Sequence, residues 1–77
     1  MSKLGSIKTR DFKKFLKSEG LRYYRTEGSH EIWGKLELTR PITFRGAKKE
    51  IPAFHIRTNL RTLGISVNDF LKKMKKL

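Results

Sequence analysis

Apolar residues at helical spacing define the first predicted element of the chain. Phe12, Phe15 and Leu16 follow one another at i, i+3 and i+4, which places them on one stripe of a helix. Thr9 is predicted to be the N-cap of this helix. Gly20 is predicted to end it, because glycine commonly follows the last turn of a helix. The pattern therefore predicts one amphipathic helix near the start of the chain.

Three short segments in the middle of the chain have the composition of β-strands. Residues 21–26, 30–38 and 40–45 mix aromatic, β-branched and charged side chains, as suits strands of a half-buried sheet. Residues 27–29 supply a turn between the first two strands, and residues 46–50 form a basic loop after the third. Consecutive strands joined by short turns predict an antiparallel meander.

Two further helices are predicted after the basic loop. Pro52 suits the start of the first helix, and Gly64 suits its end. Ser66, with Asp69 three residues later, resembles a capping box at the start of the second. The apolar stripes of the two helices consist of Ile56, Leu60 and Leu63 and of Phe70, Leu71, Met74 and Leu77.

The predicted order is helix, three strands, helix, helix, and no linker, repeat or low-complexity tract interrupts it. A chain of 77 residues is also too short for two hydrophobic cores. We therefore expect one domain over residues 1–77, of the α+β class, with helices on one face of a three-stranded antiparallel sheet. This is the outline of a double-stranded-RNA-binding-like fold.

The charge of the chain indicates its partner. Nineteen Lys and Arg against seven Asp and Glu give a net charge of +12, and such an excess repels itself unless an anion balances it. The excess is largest in residues 39–77, which carry ten basic and two acidic side chains. Nucleic acid is the expected partner, with an acidic protein surface or anionic lipid as alternatives.

Composition also excludes several classes of site and location. The chain has no cysteine and two histidines, so disulfides, thiolate metal sites and a histidine-rich metal site are not expected, nor is a cofactor. The opening residues lack the apolar run of a signal peptide, and no stretch has the length of a membrane span. We expect a cytoplasmic protein without a membrane partner.

The tripeptide Gly28, Ser29, His30 lies at the entry to the second predicted strand. With the blocks LKSEGLRYYRTEGSHEIW, RPITF and EIPAFHIRTNLRTLGISVNDFL, it resembles the HicA, or YcfA-like, toxin family over most of residues 8–72. Three separated blocks in the same order are more specific than the tripeptide alone.

The resemblance implies an endoribonuclease that cleaves messenger RNA, the toxin of a type II toxin–antitoxin pair, held silent by an acidic HicB-type antitoxin. It assigns the catalytic role to His30. Two positions depart from the family pattern. Glu31 stands where many relatives have a second histidine, and Asn59 stands where an apolar residue is common.

Elementary chemistry supports a role for His30 independently of the family. RNA carries its own nucleophile in the 2′-hydroxyl, so cleavage needs mainly a proton acceptor, a proton donor and cationic support, without a metal. An imidazole fills either proton role near neutral pH. Gly28 permits a tight turn, and Ser29 and the backbone beside it are candidate phosphate contacts.

Further candidate RNA-binding residues lie in the second half of the chain. Arg45, Lys48 and Lys49 lie in or beside the basic loop, and Arg57 and Arg61 are four residues apart on one helical face. We expect these side chains to contact phosphates.

The remaining histidine and the large aromatic residues have less defined roles in the sequence. His55 is expected to be a surface residue rather than a catalytic one. Tyr23, Tyr24 and Trp33 are able to stack on bases, but Trp33 is predicted to lie in the core.

Two alternatives to a ribonuclease remain open. One is a non-catalytic RNA-binding module of the same fold, which needs the basic surface but not His30. The other is a helix-turn-helix DNA-binding protein, since two helices flank Gly64. In that arrangement Asp69 and Phe70 stand near the start of the recognition helix, where hydrogen-bond donors are wanted.

Overall fold

The computed structural model describes residues 4–77, which form a small α+β domain. Its helices are α1 (Thr9–Ser18), α2 (Ala53–Leu63) and α3 (Val67–Lys75). Its strands are β1 (Ile7–Lys8), β2 (Arg22–Glu27), β3 (His30–Gly34), β4 (Ile42–Arg45) and β5 (Glu50–Ile51). The predicted three-stranded antiparallel sheet is confirmed, in the order β2-β3-β4.

The apolar stripe of α1 lies at the centre of the core. Phe12, Phe15 and Leu16 are fully buried. The ring of Phe12 meets Phe44 of β4 edge-on, with 5.4 Å between centroids, and Phe15 meets Phe70 of α3 at 4.8 Å. One cluster of side chains therefore joins the sheet to the first and last helices.

The prediction that Thr9 caps α1 is wrong. Lys8 occupies the N-cap position without a side-chain cap, and Thr9 is the first helical residue. The Thr9 hydroxyl instead donates to the carbonyl oxygen of Lys48 at 2.6 Å, and its backbone N–H donates to Lys49 at 2.9 Å. The start of α1 is thus bound to the basic loop that follows β4.

Several predicted strand limits also need correction. The second strand of the sheet ends at Gly34 rather than at residue 38, and the third begins at Ile42 rather than at residue 40. Residues 7–8 and 50–51 form an additional antiparallel pair, β1 with β5, that was not predicted. Two residues are too few to show an alternating pattern, so only the tertiary contact defines these strands.

The two C-terminal helices follow most of the predicted pattern. Ile56, Leu60 and Phe70 are buried, and Leu63, Leu71 and Met74 are partly buried against the core. The prediction for Leu77 is wrong, because it lies beyond the end of α3 and is exposed. Gly64 ends α2 with a left-handed φ of 72°. The backbone N–H of Asp69 donates to the Ser66 hydroxyl at 3.1 Å, which confirms the predicted cap of α3. No helix within the described residues has the length and apolar character needed to cross a membrane.

Asn59 joins α2 to the sheet. Its side chain is buried, and its Nδ2 atom donates to the carbonyl oxygen of Thr43 at 3.1 Å. Because β4 is an edge strand, this hydrogen bond satisfies a carbonyl that no neighbouring strand reaches. Asn59 therefore fixes α2 against the β4 edge.

Candidate nucleic-acid interface

His30 lies exposed at the first position of β3. The turn before it consists of Gly28 and Ser29, and Gly28 has a φ of 61°, in the left-handed region that glycine adopts without strain. Glu27 and His30 close the hairpin as a cross-strand pair. The turn thus places His30 at the closed end of the hairpin, with its side chain exposed.

The register of the sheet defines which face carries His30. His30 pairs with Arg45, whereas Glu31 pairs with Phe44 and thus faces the core. Residues directly opposite each other in antiparallel strands project to the same face, with Cβ atoms about 5 Å apart. His30 and Arg45 therefore lie together on the outer face, away from the helices.

Glu31 projects into the inner side of the sheet and is surrounded by partners. Its carboxylate accepts from Lys13 Nζ at 2.9 Å and from Trp33 Nε1 at 3.0 Å. A Cβ atom on Gly46 would overlap the same carboxylate, so the chain approaches it closely there. Glu31 therefore joins α1, β3 and the basic loop.

The pKa of Glu31 reflects these contacts. Burial raises it, but the hydrogen bonds from Lys13 and Trp33 and the charge of Lys13 lower it more, so the pKa lies below the ordinary value of 4.5. Glu31 is accordingly ionised at neutral pH. Position 31 thus holds a charged carboxylate that stabilises the contacts among α1, β3 and the basic loop.

The basic loop and the start of α2 enclose a cavity of about 240 Å³. It is lined by Arg45, Lys48 and His55, together with Glu50, Ile51 and Pro52. The Glu50 carboxylate accepts from the Ser6 hydroxyl at 2.9 Å. Arg45 thus lies between the two histidines, beside His30 on the sheet and beside His55 in the cavity.

A second cavity, of about 310 Å³, lies on the other side of Lys48. Lys8, Arg10 and Lys13 from the start of α1 line it together with Lys48 and Lys49. The hydrogen bonds from Thr9 to the loop bring these two segments together. We define the basic surface as the exposed residues Lys8, Arg10, Arg45, Lys48 and Lys49.

Only part of this surface was predicted from the sequence. The prediction included Arg45, Lys48 and Lys49 but not Lys8 and Arg10, because these two precede the loop by about 36 residues or more. In the sequence, Lys8 and Arg10 on either side of Thr9 resemble the solvent-exposed residues at the start of any helix. The pairing of β1 with β5 and the hydrogen bonds from Thr9 bring them to the loop.

Arg57 and Arg61 are exposed but lie on a different part of α2 from His55. At 3.6 residues per turn, Arg57 is about 200° around the helix from His55. The buried residues Ile56 and Leu60 lie between the side of α2 that carries His55 and the side that carries Arg57. The structure therefore does not bring the predicted pair of arginines into the cavity that contains His55.

The aromatic side chains differ in their accessibility. Trp33 is buried, as predicted, and is not available for stacking. Tyr23 and Tyr24 are about half exposed, and the hydroxyl of Tyr23 shares a 2.7 Å hydrogen bond with Thr26. Phe54, which sequence analysis did not single out, is 64% exposed and lies with its ring centroid 4.2 Å from that of His55.

The burial of Phe70 bears on the helix-turn-helix alternative. Phe70, near the start of α3, is fully buried and therefore unavailable to a DNA base.

Within residues 4–77, no group of three or more His, Asp or Glu side chains is arranged to hold a metal ion. Comparisons with family models, with curated proteins and with solved structures find no match to this chain.

Proposed function

We propose that this protein is a metal-independent endoribonuclease of the HicA type, which cleaves messenger RNA as the toxin of a type II toxin–antitoxin pair. The observation that carries the proposal is the position of His30, exposed on the outer face opposite Arg45 and next to the basic surface. A proton-exchanging group beside a guanidinium is what RNA cleavage through the 2′-hydroxyl requires.

The proposed reaction is an intramolecular transfer at phosphorus. His30 accepts the proton of the 2′-hydroxyl as its oxygen forms a bond to the adjacent phosphorus. The bond from phosphorus to the 5′-oxygen of the next nucleotide breaks, and that oxygen takes a proton from solvent water while His30 returns its own proton to solvent. The products are a 2′,3′-cyclic phosphate and a free 5′-hydroxyl. Arg45 is suited to stabilise the negative charge that develops on the phosphoryl oxygens.

The basic surface supports binding of RNA through its phosphates. Lys8, Arg10, Lys48 and Lys49 line one cavity between the loop and the start of α1, so a strand several nucleotides long is able to contact the basic surface. We further propose that the domain is a variant of the double-stranded-RNA-binding-like fold. Gly28 and Ser29 are proposed to contact the phosphate nearest to His30, and Arg57 and Arg61 to contact RNA farther away.

We propose that an acidic HicB-type antitoxin covers this surface in the cytoplasm. An active ribonuclease harms its own host, and the +12 charge of the chain favours a carboxylate-rich cover. Co-expression of the adjoining reading frame is expected to suppress growth arrest and to protect His30 from chemical modification. A neighbouring protein that binds while cleavage continues unchanged would contradict inhibition by direct occlusion.

The chemistry is tested by comparing three substrates in the presence of a chelator. We expect the protein to cut single-stranded RNA and to leave 2′,3′-cyclic phosphate ends, but not to cut the same sequence with 2′-O-methyl or 2′-deoxy sugars. Mass spectrometry of the products identifies the ends. Cleavage of the 2′-deoxy strand, or loss of all activity on removal of metal, would contradict the mechanism.

A further inference from the structure

The cavity between the basic loop and α2 combines Arg45, which the cleavage mechanism uses, with His55, which it does not use. Arg45 and Lys48 supply two cations to its wall, and His55 supplies an imidazole. Beside it stands Phe54, whose large apolar ring is 64% exposed and tilted by 59° against the His55 ring. A charged wall next to an exposed aromatic pair is the combination that binds single-stranded nucleic acid.

From this arrangement we infer that the cavity is a nucleotide subsite for single-stranded RNA. A phosphate of the strand lies between Arg45 and Lys48, and the adjoining base stacks on the Phe54 and His55 rings. The inference rests on the proposed function for its choice of RNA, and it extends that function to a second contact point. His55 and Phe54 are positioning residues in it, since the scissile phosphate lies at His30.

The charges around the cavity are compatible with an anion. Glu50 is its one acidic wall residue, and its carboxylate is hydrogen-bonded to Ser6 of the neighbouring segment. No acidic residue occurs in the first turn of α2, and its N-cap, Pro52, makes no side-chain capping hydrogen bond. The positive end of the helix dipole therefore adds to the two cations.

Arg45 connects the subsite to the proposed catalytic group. Its backbone pairs with His30 in the sheet, while its side chain lines the cavity that contains His55. A strand that passes across Arg45 therefore has one nucleotide near His30 and a neighbouring one in the cavity. The subsite accordingly orients the strand at the scissile bond. Its loss is expected to raise KM more than it lowers kcat.

A binding experiment separates this inference from the cleavage proposal. The probe is a short 2′-O-methyl RNA, which the proposed reaction leaves intact, and affinity is measured by fluorescence anisotropy. We expect Phe54→Ala to weaken binding by about 5-fold to 100-fold, the range seen for loss of one stacked base. Leu36→Ala is the matched control, because Leu36 is 99% exposed and does not line the cavity.

Abasic probes show whether Phe54 acts through a base. One abasic nucleotide is moved along the probe, and we expect it to weaken wild-type binding strongly at one position but to have no further effect there on Phe54→Ala. His55→Phe should retain the wild-type affinity, because a ring remains for stacking, whereas His55→Ala should not. Lys48→Ala should reduce the slope of log affinity against log salt by about 1 without altering the abasic pattern.

The outcomes distinguish the two proposals. Wild-type affinity in Phe54→Ala, or an abasic effect that persists in that variant, would overturn the subsite while leaving cleavage at His30 intact. The expected binding pattern without cleavage by the wild-type protein would support the subsite and contradict the ribonuclease. Absence of wild-type binding to the probe even at low salt would contradict both.

Discussion

His30 and Glu31 are neighbours in the chain, yet they lie in opposite environments. Glu31 is held on the inner side of the sheet by Lys13 and Trp33 and closely approached by Gly46. His30 is exposed on the outer side, opposite Arg45. The pleat of β3 separates the two side chains, because successive residues of a strand project to opposite faces. Glu31 therefore stabilises the fold, whereas the side chain of His30 is available for chemistry.

The comparison predicts opposite effects of substitution on the two faces. Inner-face variants should alter stability and affect activity only through it, whereas outer-face variants should alter activity or binding at constant stability. Four substitutions test this division.

The largest expected effect is that of His30→Ala on cleavage. Loss of a general acid or base should lower the rate by about 10² to 10⁴, while the melting temperature remains that of the wild type, since the side chain is exposed. Initial rates on single-stranded RNA and thermal melts followed by circular dichroism measure the two quantities. A wild-type rate in His30→Ala would remove the catalytic role and favour a non-catalytic RNA-binding module.

The next effect is expected on the inner face, at Gly46. The Cβ atom of Gly46→Ala would overlap the Glu31 carboxylate, and such overpacking typically costs about 1 to 3 kcal/mol of unfolding free energy. Gly5→Ala is the matched control, since a Cβ there meets nothing within 4 Å. Urea denaturation measures both. Combining Gly46→Ala with Glu31→Ala should cost less than the sum of the two, and strict additivity would show that the overlap is not the cause.

Glu31→Gln should produce a smaller, pH-dependent loss. Because the pKa of Glu31 is lowered from 4.5, its charge stabilises the fold above that pH, and the contribution is lost as pH falls through the lowered pKa. Gln keeps hydrogen-bonding capacity but not the charge, so we expect a loss of about 0.5 to 1 kcal/mol at neutral pH. The difference between variant and wild type should disappear in acid. A difference that is the same at both pH values would contradict an electrostatic role.

The smallest effect on binding is expected from Arg45→Ala on the outer face, which should also slow cleavage because Arg45 is proposed to stabilise the charge at phosphorus. It should weaken RNA binding modestly and reduce the slope of log affinity against log salt by about 0.7, the contribution of one phosphate contact on a single strand. Its melting temperature should be unchanged. Arg61→Ala provides the comparison on the other flank of α2. An equal change of slope in both variants would show that RNA reaches around the helix, and a change in Arg61→Ala alone would contradict the position of the basic surface.

Local patterns were sufficient to predict most of the fold. The spacing of Phe12, Phe15 and Leu16 predicted α1 and its buried stripe, and Ser66 predicted the cap of α3. The three-stranded antiparallel sheet and the burial of Trp33 also followed from the sequence. The helix stripe, the cap and the short turns between consecutive strands depend on residues close together in the chain. The spacing of apolar and turn residues in the sequence therefore indicates them directly.

The sequence by itself also determined the charge, the Gly28 turn and the presence of His30 at the start of a strand. Tertiary structure alone decided which face carries His30, that Thr9 binds the basic loop rather than capping α1, and that His55 lines the same cavity as Arg45. The physical reason is that each of these contacts joins different secondary-structure elements. Such contacts depend on how the sheet and helices pack, and no local pattern of residues encodes them.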